Sequence, residues 1–141
     1  MGPASRPRDG ETYEAVTRGI RVVVSPRFQP EHSDPQRGRF VWAYAVRIEN
    51  QGVESVRLVS RHWIITDDHN RVEEIRGPGV VGEQPLLEPG ERFEYSSGCP
   101  LAAPSGAMRG TYQMVTEGGE SFEATIPAFS LHLPGAKSRL N

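Results

Sequence analysis

Glycine and proline interrupt this chain so often that a long helix has almost nowhere to form. The 141 residues include 15 glycines and 12 prolines, and only Val53 to Arg76 runs longer than Arg39 to Gln51 without either. Proline removes a backbone donor and clashes with the preceding helical turn, while glycine costs a helix interior about 1 kcal/mol relative to alanine. The runs left between the breaks mostly alternate. In RFVWAYAVRIEN, Trp42, Tyr44, Val46 and Ile48 fall on one face and Val41, Ala43, Ala45, Arg47 and Glu49 on the other. That period of two, carried by β-branched and aromatic residues, predicts a strand. Ile20, Val22 and Val24 repeat the pattern, as do Phe93 and Tyr95, and again Met108, Tyr112 and Met114. In SFEATIPAFSLHL the alternation through Phe122, Ala124 and Ile126 stops at Pro127 and resumes at Phe129, Leu131 and Leu133. This predicts a strand that bends or changes sheet at the proline. TEGGES, just before it, supplies the paired glycines of a hairpin turn.

The stretch from Val53 to Arg76 admits two periods, because Val53, Val56, Val59 and Trp63 also fit a helical stripe. Stiff χ1 angles in Val53, Val56, Val59, Ile64 and Ile65, and the turn formers of TDDHNR, favour a hairpin instead, Val56 to Thr66 then Arg71 to Arg76. Summed along the chain, the pattern is an all-β antiparallel sandwich of about seven to nine strands. Its expected layout is a disordered leader over residues 1–12, one domain over 13–134 and a flexible tail over 135–141.

A net charge of -2 with 24% charged residues suits a globular domain and disfavours a polyanion, so no nucleic acid partner is expected. The longest apolar run, Phe40 to Val46, is far short of a bilayer span, and MGPASRPRDG lacks the apolar centre of a signal peptide. No membrane partner is expected, and the expected location is the cytoplasm. The single cysteine, Cys99, has no disulfide partner in the chain and no thiolate cluster around it. It reads as a small buried hydrophobe.

IRGPGVVGEQP places Gly77, Gly79 and Gly82 at the G-x-G-x-x-G spacing that cradles a pyrophosphate in dinucleotide-binding folds. Such a loop must open a helix whose N-terminal amides hold the phosphates, yet Pro85 and Pro89 follow at once. The ribose-binding acid expected about 20 residues on is also missing, since no Asp or Glu lies between Tyr95 and Thr116. A strand-connecting loop with glycines at special backbone positions is the expectation. The alternative is a nest of amides that binds a nucleotide or pyrophosphate without a helix, with Arg76 or Arg61 nearby. Elsewhere, Asp67, Asp68 and His69 read as turn chemistry, and Glu73 and Glu74 fall on opposite faces of a strand. No nucleophile with its base is found, so no catalytic residue, metal ligand or cofactor is assigned. Arg61 and Trp63 share a face, where they either stack on a ligand or form a core indole under an arginine lid.

RFVWAYAVRIEN, SRHWIITD, RVEEIRGPGVVGEQPLLEPGERFEYSSGCPL, PSGAMRGTYQM and IPAFSL together, and in this order, resemble the bacterial ApaG family, also called CorD, over roughly residues 14–133. The block around the glycine loop carries the most specific likeness. One departure is the hairpin tip, where the family often has Asn-Gly and this chain has His69 and Asn70. The resemblance implies an immunoglobulin/fibronectin type III-like β-sandwich. It also implies a non-enzymatic module for protein–protein interaction, associated with cobalt and magnesium homeostasis, and it brings no catalytic residue. The candidate ligand or partner residues are Arg61, Arg76, Gly77, Gly79, Gly82 and Glu83. The expected partner is an unidentified protein, or alternatively a nucleotide or pyrophosphate, and the expected state is a monomer or weak homodimer through an exposed sheet edge.

Overall fold

A computed structural model describes residues 11–134. The tail and nearly all of the expected leader lie outside the described residues. Nine strands follow one another: β1 (Tyr13–Thr17), β2 (Ile20–Phe28), β3 (Phe40–Asn50), β4 (Val56–Asp67), β5 (Val72–Pro78), β6 (Leu86–Leu87), β7 (Arg92–Leu101), β8 (Gly106–Thr116) and β9 (Ser121–Leu131). They form two antiparallel sheets, one ordered β1-β2-β3-β7 and the other β5-β4-β8-β9, with the short β6 also pairing β4. Helical structure among the described residues is confined to two 3-10 turns, Pro30–His32 and Pro35–Arg37. The expected all-β sandwich is what forms.

Alternation in sequence becomes alternation in burial. Along β3 every second residue from Phe40 to Asn50 is buried, and Trp42, Tyr44, Val46 and Ile48 meet Leu58, Trp63, Tyr112, Met114 and Phe129 in one core. Tyr44 and Trp63 pack edge to face at 5.3 Å, and Trp63 meets Phe129 at 6.0 Å. Each such ring contributes about 1.5–3 kcal/mol by leaving water. Trp42 donates its indole N–H to the carbonyl of His132 at 2.9 Å, which satisfies the polar edge of a buried ring.

Two irregularities set which residues face inward. In β4 the pairing with β8 shifts between Leu58 and Ser60, so Val59 is an extra residue. A bulge of this kind moves every later side chain to the opposite face. Val56 and Leu58 therefore point into the core before it, and Arg61, Trp63, Ile65 and Asp67 follow on that face after it. In β9, Met108↔Phe129 is followed by Gly110↔Ile126, so Pro127 and Ala128 together oppose Arg109. The proline sits where the ladder is already interrupted and its missing N–H costs least. The strand does not change sheet there; it continues in one sheet with a bulge, which lets both Ile126 and Phe129 face the core.

The hairpin between β4 and β5 closes at the tip where Asn-Gly was absent. Asn70 takes φ 65, a conformation asparagine tolerates. The Asp67 carboxylate accepts from the backbone N–H of His69 and Arg71 and from Arg71 Nε at 2.7 Å.

One long side of the sandwich is closed. Tyr13 Oη lies 3.2 Å from Ser130 Oγ, and the N–H of Thr125 donates to Thr17 Oγ1 at 3.0 Å, tying β1 to β9. On the other side the edge strands are β7 and β5, and β5 is exposed along its whole length except at the partly buried Gly77.

Candidate functional site

The Val59 bulge organises this open side. Its carbonyl accepts from the N–H of Gly79 and from Gln84 Nε2, both at 2.8 Å. Arg57 Nη1 donates to the Gln84 carbonyl at 2.7 Å, and the N–H of Leu58 to the Pro85 carbonyl at 3.0 Å. The glycine loop is thus folded back onto β4. The same bulge turns Arg61 inward, directly opposite Gly77. The guanidinium lies against that glycine, where a Cβ would sit 3.0 Å from both terminal nitrogens, and Nη1 donates to the carbonyls of Pro78 and Gly79 at 3.0 Å each.

Each glycine of the motif has its own reason. Gly77 leaves room for the Arg61 guanidinium. Gly79 has φ 57, and a Cβ there would run into the carbonyl of Glu83. Gly82, at φ 81, is the second central residue of a tight hairpin in which Val80 and Glu83 exchange both backbone bonds, at 2.8 and 2.9 Å. Val81, at φ 42, is the first. Positive φ at both central positions is the type I′ geometry, which favours Asn-Gly or Gly-Gly and is costly for a β-branched residue. Val81 nevertheless stands at the tip 56% exposed, and Leu86, in β6 after the loop, is 46% exposed.

This geometry bears on the anion reading. The N–H groups of Gly79, Val80 and Glu83 all donate to carbonyls of the chain itself, and Arg61 is engaged by two more. An amide nest needs those donors converging on open space. Nor do the two arginines act together. Arg76 pairs with His62, so it lies on the outer face of the sheet, away from Arg61. There its Nη2 is 3.3 Å from Glu74 Oε1, which also lies 2.9 Å from His62 Nε2. His62 and Arg76 hold the Glu74 carboxyl below the usual carboxylate range. The structure therefore brings together Arg61, Gly77 and Gly79, places Gly82 and Glu83 in the adjoining hairpin, and sets Arg76 apart.

Beneath Arg61 the two sheets meet through tyrosines. The hydroxyls of Tyr95 and Tyr112 are 2.6 Å apart, and Tyr112 is fully buried. Burial raises the pKa of Tyr44, Tyr95 and Tyr112, while the positive charge of Arg61 acts in the other direction on all three. Burial, with Glu73 adding to it, pushes the Cys99 thiol up to about 12, so it is a protonated hydrophobe at neutral pH, as the sequence suggested. Trp63 is core, and Arg61 serves the loop's carbonyls. Among the described residues no trio of His, Cys, Asp or Glu is placed to hold a metal ion; Asp67 holds the turn through the N–H groups of His69 and Arg71, while Asp68 accepts from Ser105 Oγ of a distant loop at 2.8 Å.

Sequence reasoning missed the Tyr95–Tyr112 contact and the strained Val81. The first joins residues on different sheets, and no spacing in the chain encodes it. The second had a faint signal, because Val81-Gly82 between Val80 and Glu83 has the length of a two-residue turn with glycine where type I′ requires it.

A family model described as the ApaG domain matches residues 30–116. Protein ApaG of Rhodospirillum centenum is 60% identical over 129 residues, covering 92% of this chain and 99% of that one. Protein ApaG of Caulobacter vibrioides is 57% identical over 136 residues, covering 96% and 97%. The crystal structure of the putative ApaA protein from Bordetella pertussis superposes with a TM-score of 0.81 at 53% identity, over 88% of this chain and 98% of that one. The C-terminal domain of wzt shares the fold alone, with a TM-score of 0.52 at 11% identity. Family model, relatives and superposed structure agree, and the chain belongs to the ApaG domain family.

Proposed function

We propose that this protein is a non-enzymatic binding module that presents the glycine-loop hairpin to a protein partner, acting in the cytoplasm. The observation that carries the reading is Val81: a β-branched residue held at positive φ on an exposed tip, where asparagine or glycine would be more stable. Strain that persists on a well-anchored loop is a mark of a site kept for contact and not for folding. Val81 and Leu86 supply the apolar contact, and the Arg61 clamp on Pro78 and Gly79 keeps the tip pre-organised, which lowers the ordering cost of binding. The association with cobalt and magnesium homeostasis implied by the family resemblance is read as acting through that partner.

Val81→Asn tests this. It creates an Asn-Gly turn, so the chain should gain about 1 kcal/mol in denaturant unfolding, while a partner captured from cell lysate and cross-linked to the wild-type tip should be lost. Equal capture by the variant, or no gain in stability, would overturn the reading.

A further inference from the structure

The outer edge of β5 has the chemistry of a self-complementary interface, and we infer that it pairs antiparallel with β5 of a second copy in a single register. This inference is independent of the partner proposed for the hairpin tip. It begins with the direction of the backbone groups. The N–H of Asp67 bonds the carbonyl of Arg71, and the N–H of Gly79 bonds the carbonyl of Val59, so the odd-numbered residues of β5 turn their backbone groups toward β4. In an antiparallel ladder these alternate strictly. Val72, Glu74, Arg76 and Pro78 therefore turn theirs outward, and among the described residues β5 pairs with β4 alone. Val72 is 63% exposed and Ile75 36%, and the Pro78 carbonyl, which accepts one bond from Arg61 Nη1, keeps a second lone pair for an incoming donor.

Charge selects the register. A two-fold pair must set outward residues against outward residues, which leaves registers centred on Glu73, Glu74, Ile75, Arg76 or Gly77 for a substantial overlap. Centring on Glu73, Glu74 or Arg76 opposes identical charges across the axis, which destabilises a ladder, and centring on Gly77 sets Arg76 against Pro78 with no charge partner. Centring on Ile75 sets Glu74 against Arg76 of the second copy twice over, Val72 against Pro78, and Ile75 against itself. The Glu74 and Arg76 pairs exchange both backbone bonds, and the N–H of Val72 reaches the carbonyl of Pro78, which has no donor to waste. Ile75 against Ile75 is a non-hydrogen-bonded pair, in which side chains approach most closely. Charges and proline on an edge commonly deter pairing; here like charges deter three registers, and only the register centred on Ile75 gains opposite-charge pairs. The result joins the β5-containing sheets of two copies into a continuous sheet.

Sedimentation of the purified chain over a concentration series tests this. Wild type should shift from monomer to dimer. Glu74→Arg and Arg76→Glu, each creating two like-charge pairs, should weaken the dimer about tenfold or more. The double exchange E74R/R76E restores opposite charges and should restore the dimer. Amide exchange at Val72, Glu74 and Arg76 should slow as the dimer forms, while that at Ile75 and Gly77, already bonded to β4, should not change. A chain that stays monomeric to about 1 mM, single variants that dimerise as wild type does, or a double exchange that stays as weak as the singles would each overturn the inference.

Discussion

Removing the hydroxyl of Tyr95 should cost more than removing that of Tyr112, although Tyr112 is the more buried ring. The two hydroxyls are 2.6 Å apart, and Tyr112 is fully buried while Tyr95 is only half-buried. Tyr112→Phe deletes the inner hydroxyl and leaves that of Tyr95 within reach of water, so the loss is that of one hydrogen bond, about 0.5–1.5 kcal/mol. Tyr95→Phe strands the inner hydroxyl with its desolvation uncompensated, about 1–3 kcal/mol. The double Phe variant removes both groups and should be no less stable than Tyr95→Phe alone, because two apolar groups facing each other leave nothing unsatisfied. Urea unfolding of the four proteins, with a common m-value, gives the cycle. Losses that add to within about 0.3–0.5 kcal/mol, or a Tyr112→Phe loss larger than that of Tyr95→Phe, would refute the assignment of this contact as an inter-sheet lock.

Two further outcomes follow from geometry already described. Gly79→Ala should destabilise by more than 1 kcal/mol, about the cost of left-handed backbone for an L-residue, because its Cβ also collides with the Glu83 carbonyl. Gly82→Ala faces open space and should lose only the backbone cost. Thermal or denaturant unfolding of the pair separates collision from φ. The third outcome is alkaline. All four tyrosines have raised pKa values, chiefly through burial. Their contribution to stability is complete below the ordinary tyrosine value near 10 and is lost as pH rises toward the folded values. At pH 11 a tyrosine still protonated in the fold but ionised when unfolded lowers stability by about 1.4 kcal/mol. Absorbance near 295 nm should therefore show ionisation arriving with unfolding; full ionisation of the folded chain near pH 10 would contradict the burial assigned to Tyr112.

The strands were legible because each buries one face, and burial writes period two into the sequence at Trp42, Tyr44, Val46 and Ile48. The β4–β5 hairpin was legible from its stiff residues and its turn. The Val59 bulge was not, because an extra residue is defined only by the partner strand that fails to match it. It decides that Arg61 points at the glycine loop, so the most important contact of the site depends on a register no local pattern reports. Arg76 was grouped with Arg61 by proximity in the sequence of the candidate loop, whereas pairing with His62 and not with Arg61 puts it across the sheet. The G-x-G-x-x-G spacing was a true signal of backbone demand at three positions, and the demands proved to be a guanidinium, a carbonyl and a type I′ turn.

β8 lies between two strands that each carry an excess residue, at different heights: Val59 of β4 beside Met114 and Gln113, and Pro127 with Ala128 of β9 beside Arg109. It works as a ruler read by two neighbours that keep different counts. Sliding it one place to accommodate one neighbour throws the other out of step, so β4, β8 and β9 share a single phase. Pairing two of them early cannot settle the register of the third, and the three must close together around contacts far apart in the chain. That concerted closure places this domain among slow folders, in the range of milliseconds to seconds, and makes Val59 a residue whose deletion would keep Arg61, Trp63 and Ile65 facing inward while removing the carbonyl that anchors Gly79 and Gln84.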